Sequence, residues 1–156
     1  MYKALLCTVL VVLAVCAQAK TPEKAWDFHS IVPADWTLLP EDPTSHQRRF
    51  ISPSGDAWLA LYAEPADREP TQAHIAQVRQ HENERITYER EEQTWIVVSG
   101  YIGGRIFYRK AMLACGGRVW HHLPFEYPAI QKRAFDLFVT RASYALQAYG
   151  QVGCQQ

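Results

Sequence analysis

The chain has no excess of either charge: 16 lysines and arginines stand against 16 aspartates and glutamates. A surface that grips nucleic acid or an anionic membrane carries a basic patch, so neither partner is expected. Long apolar runs are also scarce. Residues 4–15 are apolar except for Thr8, and no other stretch approaches them. About 12 residues cannot span a hydrocarbon core of about 30 Å as a helix, so no transmembrane anchor is expected. Cysteine is sparse, with four in 156 residues. The chain lacks G-x-S-x-G, because Ser99-Gly100 has no preceding glycine, and this removes the signature of a nucleophile elbow. There is no internal repeat and no low-complexity tract.

What is present at the N-terminus is the order of a secretory signal. Lys3 supplies the positive region, residues 4–15 the apolar one, and Ala17-Gln18-Ala19 the small residues a signal peptidase inspects. Residues 1–19 are therefore expected to be removed, and residues 20–156 to form one domain with its own core. Leu13-Ala14-Val15-Cys16 resembles a lipobox, but Val15 stands where that motif takes Gly or Ala; ordinary cleavage is the expectation. The mature chain is then periplasmic or secreted and keeps two cysteines, Cys115 and Cys154. In an oxidising compartment the simplest reading is a Cys115–Cys154 disulfide, with two buried thiols as the runner-up. The chain-entropy model gives a loop of about 40 residues roughly 4 kcal/mol of stabilisation.

Periodicity predicts strands at residues 26–31, 47–52, 57–63, 86–91, 94–101, 105–115 and 119–125. Turns fall at residues 33–36, at residues 53–56, and at the pairs Gly103-Gly104 and Gly116-Gly117. A helix is expected from an N-cap at Thr71 to about Arg85, and a second from Pro128 to about Ala148 with Gly150 as its stop. The second carries a broad apolar stripe, with Ala134, Phe138, Ala142 and Leu146 expected to pack on a sheet. Strands joined by tight turns and covered by two helices make an α+β sandwich, with an antiparallel sheet of six to seven strands.

Several short motifs carry a family resemblance. The turn Pro33-Ala34-Asp35-Trp36, the hairpin at Ser52-Pro53-Ser54-Gly55 and the run Trp95-Ile96-Val97-Val98-Ser99-Gly100 resemble the PsbP-like domains. So do Tyr108-Arg109 and Tyr127-Pro128. The resemblance spans roughly residues 26–148. It implies an antiparallel sheet between helices and a mainly non-enzymatic role, binding or stabilising a larger assembly, and it transfers no ligand residues.

Candidate chemistry is thin. His121 and His122 are adjacent on a strand and so face opposite ways. A metal site would need one of them with distant partners, such as His29 or Glu126. His74 and His81 are two helical turns apart, about 10 Å. No catalytic, cofactor-binding or metal-binding residue is assigned, and no cofactor is expected. Five tryptophans are many, and most belong in a core; Trp36 and Trp120 are the two expected at the surface. With Arg105 and Arg109, which share a strand face, they form the expected binding patch. The functional expectation is a non-catalytic binding or accessory protein of the periplasm or envelope, with an envelope protein or polymer as partner. The alternative is an apolar-ligand carrier or a hydrolase with a pocket between sheet and helix.

Overall fold

Among the described residues, seven strands pair antiparallel in one sheet, in the order β1-β2-β3-β7-β6-β5-β4. The structure, a computed structural model, describes residues 31–41, 47–66, 71–79 and 81–152, with side chains to residue 148. The strands are β1 (Thr37–Leu38), β2 (Arg48–Ile51), β3 (Trp58–Pro65), β4 (Arg85–Glu92), β5 (Trp95–Ile102), β6 (Arg105–Ala114) and β7 (Val119–Pro128). Helix α1 is Thr71–Arg79, and α2 is Lys132–Val152 after a single 3-10 turn, Ala129–Gln131. The expected α+β fold is the observed one. The expected signal segment, the strand at residues 26–30, His29 and Cys154 lie outside the described residues.

Tight turns set the sheet order. Gly55 adopts φ 76° and donates its amide to the Ser52 carbonyl, closing the β2–β3 hairpin. Gly103, at φ 56°, turns β5 into β6, and Cys115, Gly116 and Gly117 all take positive φ between β6 and β7. Such turns leave neighbours in sequence as neighbours in space, which is why β4 to β7 form a meander. The connection from β3 to β4 differs. β3 pairs with β7, so the chain must cross the sheet to reach the far edge at β4, and α1 is that crossover. Gly100 of β5 has a packing reason: a Cβ there would stand 2.1 Å from the Arg85 carbonyl oxygen, beside the β-bulge at Ile86/Tyr88.

Side chains alternate between the two faces, and both faces are buried. On one, Leu59, Leu61, Val97, Leu123 and Phe125 pack under α2. On the other, Ile96, Val98, Phe107, Ala111 and Trp120 pack under Ile75 and Val78 of α1. Trp36 is half-buried on the α2 side, among Phe125, Phe135 and Phe138, with ring centroids 5.9, 6.3 and 5.6 Å away.

Both ends of α1 and the packed stripe of α2 depart from expectation. Thr71 is the first helical residue rather than a cap outside the helix, and α1 ends at Arg79, six residues early. Asn83, at φ 63°, then reverses the chain into β4. In α2, Ala134 is exposed, and Phe135 and Val139 pack with Phe138, Ala142 and Leu146 instead. Steps of four residues advance about 40° beyond one full turn, so residues 134 and 146 cannot share a face.

Two leucines of α2 test its orientation. Leu146 is 0 % exposed and Leu137 59 %. Leu146→Ala should cost about 2–5 kcal/mol in denaturant unfolding, from lost transfer energy plus a cavity. Leu137→Ala should stay within about 0.5 kcal/mol. The reverse ranking would mean that α2 presents its other side to the sheet.

Candidate functional site

The β3–β7 register places four residues of the α1-side face in a block. Tyr62 stands opposite His122, and Glu64 opposite Trp120. Alternation then brings all four to one face, and α1 lowers His74 onto them. His74 stacks on Trp120 at 4.5 Å and 17°, and His122 stacks on Tyr62 at 4.4 Å and 3°. The two imidazoles are thus held by aromatic planes, and their Nε2 atoms lie 3.2 Å apart. The carboxylate Oε2 of Glu64 stands 3.2 Å from Nε2 of His122 and 3.9 Å from that of His74. Among the described residues these three form a group whose donor atoms could hold a metal ion.

Both rings are buried, whereas the Glu64 side chain is half exposed. Burial pushes the His122 imidazole down to about 3, and the nearby His74 and His121 push the same way, so its ring is neutral across the physiological range. Burial raises the Tyr62 phenol to about 12, and the Glu64 carboxylate adds to the shift. The cluster opens on a pocket of about 150 Å³ whose wall includes Gln77, His81 and Arg109.

Arg109 borders this pocket and is committed within the fold. Its two terminal nitrogens hold the Glu84 carboxylate at 2.6 and 2.7 Å, and its Nε donates to the Val78 carbonyl at 3.1 Å. The guanidinium therefore neutralises a buried carboxylate and caps the carbonyl end of α1. It also lies 4.6 Å from the centroid of Phe107.

The expected patch of Trp36, Trp120, Arg105 and Arg109 is not assembled on one surface. Trp36 lies in the α2 core. Trp120, expected outside, is 1 % exposed because α1 covers it. Arg105 pairs with Glu126 and donates to the Asp56 carbonyl at 2.8 Å. It thereby ties the β2–β3 hairpin to β6 and β7, while Gln131 bonds the Asp56 carboxylate at 2.5 Å ahead of α2. The expectation that His121 and His122 face opposite ways is met in the register, since they oppose the neighbouring β3 residues Ala63 and Tyr62. Partners suggested for His122 are replaced: Glu126 serves Arg105, and His74 and Glu64 approach instead. His74 and His81 line the same pocket without sharing an ion by spacing alone. The missed signal was the alternation Tyr62, Glu64 on β3, which only a register could connect to Trp120, His122.

A second concavity lies on the other face. α2 packs on β6 and β7, and beside it runs an open groove toward β4 and β5. Two contiguous spaces of about 360 and 440 Å³ share Tyr88, Tyr108, Val139 and Thr140. Trp95, Tyr101 and Tyr144 add further rings to the walls. Arg90 lies 5.5 Å from the centroid of Trp95. Lys110 is buried at the base, where its ammonium donates to the Ser143 carbonyl at 2.9 Å, and burial lowers its pKa.

No family model matches the chain, and no curated protein matches it. Among solved structures, the Ran-binding protein Mog1p of Saccharomyces cerevisiae is similar, with a TM-score of 0.46 and 9 % identity, over 76 % of this chain and 84 % of that chain. Among the described residues no helix is long and apolar enough to cross a membrane.

Three phenols, Tyr108 and Tyr127 buried and Tyr62 half-buried, predict the alkaline limit. Burial raises Tyr62, Tyr108 and Tyr127 from 10.0 to about 12. Because the folded values exceed the unfolded ones, their contribution is fully present below about pH 10 and is lost as pH rises toward 12. Stability should therefore be flat to about pH 10 and then fall. Tyrosinate absorbance should show these phenols ionising together with unfolding. Ionisation of every tyrosine near pH 10 in a still-folded protein would contradict their burial.

Proposed function

We propose that the chain is an exported, PsbP-like binding or accessory domain of the periplasm or cell envelope, non-catalytic, with an envelope protein or polymer as partner. The observation that carries this reading is the open groove beside α2. Tyr88 is 53 % exposed and Tyr144 69 % exposed, on opposite banks. Tyrosine and tryptophan offer large apolar area with a polar edge at little entropic cost, which suits a contact surface that must also stay wet when empty. Arg90 extends the rim with a cation. The groove is open to solvent, and Thr140 and Ser143 stand among its rings. An apolar-ligand carrier calls for an enclosed apolar cavity instead.

The family assignment is supported by where its motifs fall. Pro33 accepts from the amide of Trp36 at 3.1 Å, so that motif is a turn. The Ser52–Gly55 motif closes a hairpin, Gly100 is required by the close approach of β4, and Tyr127-Pro128 leads into α2. The export reading rests on residues 1–19 and on the two cysteines of the mature chain. Cys115 sits at the turn after β6 with φ 56°, and its pairing with Cys154 is part of this proposal.

Purification of the exported protein tests both parts. Its intact mass should begin at Lys20 and be two hydrogens short of the reduced chain, as one disulfide requires. Retained residues 1–19 would refute the signal reading, a lipid on Cys16 would refute ordinary cleavage before Lys20, and two free thiols would refute the Cys115–Cys154 disulfide. The same protein, immobilised, should retain a component of its own envelope extract. A Tyr88→Ala, Tyr144→Ala double variant should retain it at least tenfold less, with an unchanged melting temperature, since surface changes move stability by about 0.5 kcal/mol. Equal retention by both proteins would remove the groove from the account.

A further inference from the structure

We infer that His74, His122 and Glu64 form a binding site for a divalent zinc-class ion, with a fourth coordination position open to the pocket. The inference is independent of the groove beside α2. A tetrahedral zinc ion takes imidazole nitrogens at about 2.0–2.1 Å and carboxylate oxygens at about 2.0–2.2 Å, which sets neighbouring donors about 3.3 Å apart. The three donor atoms here stand 3.2, 3.2 and 3.9 Å from one another. One ion at their centre satisfies all three. Only the longest edge needs to close, and it involves the half-exposed Glu64 side chain, the most adjustable member.

The surroundings match what a metal site needs beyond its ligands. Ligand imidazoles must be held in orientation. Here stacking does this, with Trp120 under His74 and Tyr62 against His122. The ligands come from three elements, β3, α1 and β7, so the geometry is fixed by tertiary structure rather than by one flexible loop. Two nitrogens and one oxygen suit a borderline ion such as zinc better than calcium or magnesium, which take oxygen ligands. Three protein donors facing a pocket of about 150 Å³ leave room for water or an incoming ligand on the ion.

The ion would also have a mechanical effect. Helix α1 is nine residues long, and its buried residues are His74, Ile75 and Val78. An ion bridging His74 to β3 and β7 adds a third attachment to the apolar contacts and the Arg109 clamp. Binding is then linked to stability, because the unfolded chain does not present the three donors together.

Calorimetric titration of the chelator-treated mature protein with zinc chloride alone tests this. The expected result is one site per chain with a dissociation constant in the micromolar range or tighter, and a melting temperature that rises with zinc. Glu64→Gln keeps size and exposure and should bind at least tenfold more weakly. His74→Phe keeps a ring on Trp120 and should lose the site, together with the zinc-dependent rise in melting temperature. If His74→Phe fails to fold, Glu64→Gln alone decides. Absence of zinc binding by the parent protein, or equal affinity of parent and Glu64→Gln, overturns the inference.

Discussion

The pairing of β3 with β7 is the constraint on which the rest of the molecule depends. These strands are separated by the whole of α1 and a three-strand meander, yet they lie side by side in the middle of the sheet. Their antiparallel register fixes which side chain meets which, and a slip of one residue would exchange the two faces. With Leu59 against Phe125 the α2 side receives apolar residues. With Tyr62 against His122 and Glu64 against Trp120 the α1 side receives a polar and aromatic block. The same pairing forces α1 to cross the sheet, so the helix that covers this block is a consequence of the strand order.

The two faces are stabilised by different means. Under α2 the cluster of Trp36, Phe125, Tyr127, Phe135 and Phe138 packs in tilted, edge-to-face and stacked contacts. Such pairs are worth about 0.5–1.5 kcal/mol each beyond the area they bury. Under α1 the apolar contribution is smaller, and polar groups do more of the holding. Arg109 joins Glu84 to the carbonyl end of the helix, and Arg79 on the last turn pairs with Glu89 and Glu91 of β4. Removing one partner of a buried ion pair typically costs about 3–5 kcal/mol, because the other charge is left uncompensated. The α1 side thus holds the Arg109–Glu84 clamp and the two stacked imidazoles, and the α2 side holds the broad aromatic groove with Lys110 buried at its base.

Much of the fold was legible because its signals are local. Alternation and glycine turns marked the strands of the meander within a few residues, and the apolar stripe of α2 marked the second layer. β1 was not legible, since Thr37–Leu38 is a strand only through its pairing with Ile51 and Phe50. The early end of α1 was missed because residues 80–85 contain no glycine or proline. What stops the helix is the reversal at Asn83 and the Arg109 clamp, both set by tertiary structure. Trp120 was misjudged for the same reason, as nothing local shows that a crossover helix covers it. The histidines were individually visible, but the site was not. His74, His122 and Glu64 meet only through a register between distant strands, and no spacing in the sequence encodes it.

The most direct test is therefore the β3–β7 register itself, read by proton–proton contacts in solution NMR of the protein. Contacts are expected between the Tyr62 and His122 rings and between the His74 and Trp120 rings. His121 should show none to the α1 side. Contacts that instead place His121 against Tyr62 or His74, with His122 among the residues beneath α2, would mean a one-residue slip. That result would contradict the burial of Trp120, the grouping of the two imidazoles with Glu64, and the division of labour between the two faces.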